Sequence, residues 1–127
     1  MRLWVQAILV IVGVIHLLPL SGVVGVKQLE KLYGVTLTDP NLVILMRHRA
    51  VLFGLLGVFS IVGALRSELQ WAALLSGMVS VLSFLVLAWL SGGYNSQLNK
   101  VFWVDVFALV CLGLGAGLLF LREKVSG

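Results

Sequence analysis

Apolar residues fall into long stretches at residues 3–26, 41–65, 71–90 and 101–121, with few charges inside them. Each has about the ~17 to 25 residues that a helix needs to cross a hydrocarbon layer. The stretches do not alternate apolar and polar positions, as the strands of a membrane barrel must. The pattern therefore predicts an all-α fold: a four-transmembrane-helix bundle that takes up residues 1–127 as a single integral membrane domain.

Between the first two stretches the pattern changes. Val26, Leu29, Leu32 and Tyr33 recur at near-helical spacing among Lys27, Glu30 and Lys31, which predicts a short amphipathic helix along the membrane interface. Thr38-Asp39-Pro40 reads as a helix start, with Asp39 as N-cap and Pro40 in the first helical position. Trp4, Trp71, Trp89 and Trp103 fall at expected helix ends, where an indole keeps its body in lipid and its N–H near the headgroups. Small residues pair at helix-contact spacing in Ser21/Gly25, Ala50/Gly54, Ser76/Ser80 and Gly113/Gly117, which favours close approach of helices in lipid.

Composition agrees with the pattern, since 61% hydrophobic and 11% charged residues leave too little polar surface to cover a water-soluble domain. The net charge of +4 does not point to nucleic acid. Its basic residues are scattered over helix ends and the second helix instead of forming a stripe with exposed aromatics. Cys111 stands alone, so no intramolecular disulfide forms and the thiol reads as a small packed hydrophobe. Arg2 ahead of an apolar run resembles a secretory signal, but the run is longer than a signal core and Pro19 to Val23 offers no small-x-small cleavage site, so the first helix is retained. Arg2, Arg66, Arg122 and Lys124 lie on the side of the N-terminus, facing Lys27, Lys31 and Lys100 on the other. The positive-inside rule then puts both termini in the cytoplasm.

One segment breaks the apolar pattern. Arg47, His48 and Arg49 stand together early in the second long helix. At ~1.5 Å per residue, His48 lies roughly 25 Å and Asp105 about 24 Å from the N-terminal side, so they share a level, with His16 at about 20 Å. An isolated carboxylate in lipid is costly, which predicts an ion pair between Asp105 and Arg47 or Arg49. A polar cluster of Arg47, His48, Arg49, Asp105 and His16 follows, with Tyr94, Asn95, Asn99 and Lys100 at its mouth. Consecutive helical residues turn by ~100°, so the triplet cannot all face one pocket.

Several chemistries fit such a cluster. Arginine and histidine can hold an anionic lipid headgroup or a quinone oxygen while the bundle takes the tail, in a small binding or accessory protein. An alternative is a b-type haem with His16 and His48 as axial ligands. A closed zinc site lacks ligands, and a proton path lacks a carboxylate within the apolar spans toward the N-terminal side to finish the route. No catalytic motif is visible and an enzyme is not expected. The partners expected are membrane lipid and either further copies of the chain or another membrane protein.

The segment Met46-Arg47-His48-Arg49-Ala50-Val51-Leu52-Phe53-Gly54, with Gly93-Tyr94-Asn95 and Asp105, resembles a small family of bacterial four-helix membrane proteins over most of the chain. Members often carry the label phosphopantetheine adenylyltransferase. That soluble nucleotidyltransferase uses a His-x-Gly-His phosphate signature and a Rossmann-like pattern, and this chain has neither. A looser likeness is to the DoxX-like group, on helix count and an arginine early in the second helix. The resemblance implies a bacterial inner-membrane location and a redox-adjacent or amphiphile-binding role.

Overall fold

In the computed structural model, residues 2–126 are described, Ser126 by its backbone alone. The chain forms α1 (Arg2–Leu17), a 3-10 segment (Leu18–Val24), α2 (Val26–Tyr33), α3 (Pro40–Leu65), α4 (Gln70–Ser91) and α5 (Ser96–Ser126), with a 3-10 turn at Ser67–Leu69 before α4. Four stretches are long and apolar enough to cross a membrane: Arg2–Val24, Pro40–Leu65, Ser67–Ser91 and Ser96–Val125. The protein is a multi-pass helical bundle.

The helices pack in a ring. α1 lies against α3, α3 against α4, α4 against α5, and α5 closes back on α1. This is the order of a simple up-down-up-down bundle with short connections. α1 and α4 touch only narrowly across one diagonal, and across the other no Cα of α3 comes within 8 Å of one in α5. α1 and α3 approach backbone to backbone, so that a Cβ on Gly57 would fall 2.8 Å from the Gly13 carbonyl oxygen. Only glycine at both positions permits that separation.

Side chains pack tightly toward the N-terminal side. Val5, Leu9 and Val12 of α1, Ala64 of α3, Ala73 and Leu74 of α4, and Leu112 and Leu119 of α5 form one buried cluster. Two polar ties close that end: Trp71 Nε1 donates to Glu123 Oε1 at 2.7 Å, and Arg122 donates to the buried Gln70 Oε1 at 2.9 Å. They join the start of α4 to the end of α5.

The sequence reading is met at α3, where the Asp39 carboxylate accepts from the Asn41 amide at 2.9 Å with Pro40 in the first turn. It is met again at α2, whose Leu29 and Tyr33 are buried. Two boundaries need correction. The first apolar stretch does not continue as α-helix to residue 26: Pro19 has no N–H to donate, and from Leu18 the chain tightens into 3-10 geometry. The last helix starts at Ser96 instead of residue 101, because Asn95 caps it, its Oδ1 accepting from the Leu98 amide at 2.8 Å. Trp103 consequently sits about two turns inside α5, not at its end. Of the small-residue pairs, Ala50 and Gly54 are buried, whereas a Cβ at Gly25, Gly113 or Gly117 would meet nothing within 4 Å. Spacing alone cannot say which small face points inward.

Candidate functional site

α2 provides the roof of the site. Its last turn ends at Gly34, in the left-handed region at φ 63°, whose amide donates to the Glu30 carbonyl at 2.8 Å. Asn95 fixes this turn from the other side of the bundle, its Nδ2 donating to the carbonyls of Tyr33 at 2.8 Å and Gly34 at 3.0 Å. One side chain thus caps α5 and holds the end of α2 above the helix ends.

The Tyr33 ring is thereby held against α3. Arg49 Nη1 donates to the Tyr33 hydroxyl at 2.7 Å, while the guanidinium carbon lies 5.2 Å from the centre of the Tyr33 ring and 4.5 Å from that of Phe53. A charge-assisted bond of this kind contributes on the order of 1.5–3 kcal/mol, and stacking on an aromatic face ~0.5–2 kcal/mol. Phe53 in turn lies 5.6 Å from the imidazole of His16. His16 is buried, with Nδ1 2.9 Å from the Val12 carbonyl and Nε2 2.9 Å from the Ser80 hydroxyl. Tyr33, Arg49, Phe53, His16 and Ser80 therefore make one contact chain through α2, α3, α1 and α4.

Beside this chain lies a cavity of about 350 Å³. Its apolar wall comes from Ile15, Leu18, Pro19, Leu32, Phe53, Val101 and Val104. Its polar groups are His16, Gln28, Lys31, Tyr33, Arg49, Gln97, Lys100 and Asp105. The volume falls in the range of small-molecule sites, which set convergent polar groups beside an apolar wall. A second cavity of about 620 Å³, bordered by Leu52, Leu56, Ser76, Val79, Ser80, Ser83, Phe84 and Leu87, lies between α3 and α4. Arg49 and Phe53 border both. They form the wall between them.

Of the residues singled out from sequence, His16, Arg49 and Asp105 border the first cavity, and Lys100 stands at it as expected. Arg47 and His48 do not: both are exposed, and Arg47 Nε donates to the Val23 carbonyl at 2.9 Å, satisfying the end of the 3-10 segment. The ~100° step per helical residue turns them away once Arg49 faces inward. The expected ion pair of Asp105 with Arg47 or Arg49 is also absent. Arg66 and Glu68, by contrast, do meet as an ion pair, 2.8 Å apart. α3 and α5 stand on opposite corners of the ring, so Arg49 and Asp105 face each other across the cavity, and Tyr33 takes the guanidinium instead.

The donor set does not suit a haem between His16 and His48. Both ring nitrogens of His16 are already hydrogen-bonded, and His48 is exposed outside the cavity. No group of three or more metal-binding side chains occurs among the described residues. At the mouth, Asn95 is used in capping, and Tyr94 stacks on Phe102 with ring centres 5.8 Å apart, beside a shallow surface pocket with Trp89. Sequence reasoning missed Tyr33 and Ser80. The first passed for part of an apolar face, and the second for a small packing residue. A hydroxyl at the last position of α2's buried face was the available signal for Tyr33. Comparison with protein-family models, with curated proteins and with solved structures finds no match to this chain.

Proposed function

We propose that this protein binds a membrane amphiphile, holding an oxygen-rich head group, of a lipid or a quinone, in the cavity beneath α2. The observation that supports this reading is one cavity in which Arg49, Lys31, Lys100 and Tyr33 present hydrogen-bond donors beside walls of leucine, valine and phenylalanine. Cations outnumber Asp105, the carboxylate on the lining, so the site favours an acceptor or anionic group. The apolar walls favour a tail or ring beside it. The protein would sit in a bacterial inner membrane with both termini cytoplasmic, as a member of the small four-helix family that the Arg47-His48-Arg49 segment suggests. Its partners would be membrane lipid and another copy of the chain or a second membrane protein.

The test is the amphiphile retained through gentle purification. Native mass spectrometry of the wild-type protein is expected to show one defined adduct, and extraction identifies it by mass as a phosphate-bearing lipid or by mass and ultraviolet absorption as a quinone. Arg49→Gln is expected to lose that adduct while keeping the helical circular dichroism of the wild type. The same adduct at the same occupancy in both proteins would refute the reading.

A further inference from the structure

We propose that Ser80 and His16 are an intramembrane nucleophile and general base acting on the carboxylic ester of a long-chain amphiphile in the groove between α3 and α4. The ester would lie on the opposite side of the Arg49–Phe53 wall from the head-group cavity, so formation of the acyl-serine requires no particular occupant of that cavity.

The polarity of the Ser80–His16 contact is the starting point. Nδ1 of His16 lies 2.9 Å from the Val12 carbonyl, which can only accept, so Nδ1 carries the ring hydrogen. Nε2 of the neutral ring then offers a lone pair, and the Ser80 hydroxyl 2.9 Å away must donate to it. This direction is the one in which an imidazole takes a proton from a serine, and the Val12 carbonyl holds the tautomer and ring orientation as the third group of a triad does. The neighbouring serines differ. Ser76 donates to the Ala73 carbonyl at 3.1 Å and Ser83 to the Ser80 carbonyl at 2.9 Å, so neither has a base.

Access is divided between the two sides of the pair. Ser80 borders the α3–α4 groove, whose other walls include Leu52, Leu56, Val79 and Leu87. Such walls suit an acyl chain. His16 borders the polar cavity, from which water can reach the imidazole. Arg49 borders both spaces, so the groove that would take the ester has on its lining a charge of the sign that stabilises an oxyanion.

In the first half-reaction Ser80 Oγ bonds to the acyl carbon and its proton passes to His16 Nε2. The tetrahedral oxyanion collapses, the bond to the alcohol oxygen breaks, and His16 returns the proton to that oxygen. Water then attacks the acyl-serine and gives a proton to His16. The bond to Ser80 Oγ breaks, Ser80 regains a proton, and a carboxylic acid leaves. No electrons are exchanged with an external partner.

A long-alkyl fluorophosphonate tests the pair on the full chain in detergent micelles, with peptide mass spectrometry as the readout. Labelling at Ser80 is expected, with none at Ser76 or Ser83. His16→Gln, which can still hydrogen-bond Ser80, is expected to slow labelling by about 10²-fold or more, and Ser80→Ala to abolish it along with release of nitrophenol from a long-chain nitrophenyl ester. If either variant fails to fold, the wild-type result still decides. An unlabelled Ser80 in folded wild-type protein, or equal labelling of Ser76 or Ser83, would show that the Ser80–His16 bond only ties two helices together and would overturn the proposal.

Discussion

Gly57 and Gly113 are both helix-interior glycines in apolar surroundings, yet replacing them with alanine should have opposite consequences. A Cβ on Gly57 would fall 2.8 Å from the Gly13 carbonyl oxygen and 2.7 Å from Leu17 Cγ. The leucine can turn away, but the carbonyl is backbone, so α1 and α3 must part by roughly half an ångström and loosen the contacts on either side. Overpacking of that kind costs about 1–3 kcal/mol. A Cβ on Gly113 meets nothing within 4 Å. Both substitutions gain the same helix propensity, up to ~1 kcal/mol, so the difference between them isolates the steric part. Gly57→Ala should be less stable than Gly113→Ala by about 1–3 kcal/mol, with Gly113→Ala at or above wild type. Reversible unfolding in mixed micelles with rising dodecyl sulfate, followed by tryptophan fluorescence, measures this directly. Equal stability of the two variants would mean that α1 and α3 do not meet backbone to backbone at Gly13 and Gly57.

Two further outcomes follow from the polar contacts. In double-mutant cycles on unfolding, Arg49→Gln should couple to Tyr33→Phe by about 1 kcal/mol or more and to Asp105→Asn by less than ~0.5 kcal/mol; the reverse ranking would restore the ion pair predicted from sequence. Asn95→Ala should cost more than Asp39→Ala, for which loss of a cap implies about 1 kcal/mol, because Asn95 also holds the end of α2. Equal losses in the same unfolding assay would deny Asn95 that second role.

How much of the site was legible can be seen at the charged triplet. Helical geometry alone required Arg47, His48 and Arg49 to diverge. Which of them faces inward depends on where α1 and α2 lie. Asp105 was placed at the right level for the cavity, which it shares with Arg49, but not at ion-pair distance from it, since depth along a helix follows from residue count and lateral position does not. Ser80 and His16 are separated by 64 positions in the chain, and no local pattern reports such a meeting.

By itself the sequence determined what each segment does locally. Apolar runs set the spans, Asp39-Pro40 the start of α3, and the mixed spacing of residues 26–33 the short α2. These features arise from interactions within a few residues: backbone hydrogen bonds, caps, and the cost of polar groups in lipid. Tertiary structure alone decided the ring order, the diagonal that keeps Arg49 from Asp105, and the chain of contacts from Tyr33 to Ser80. All four spans are apolar nearly all round, so hydrophobicity does not say which face meets which neighbour. In lipid that choice falls to close packing and interhelical hydrogen bonds, which exist only once the helices are assembled.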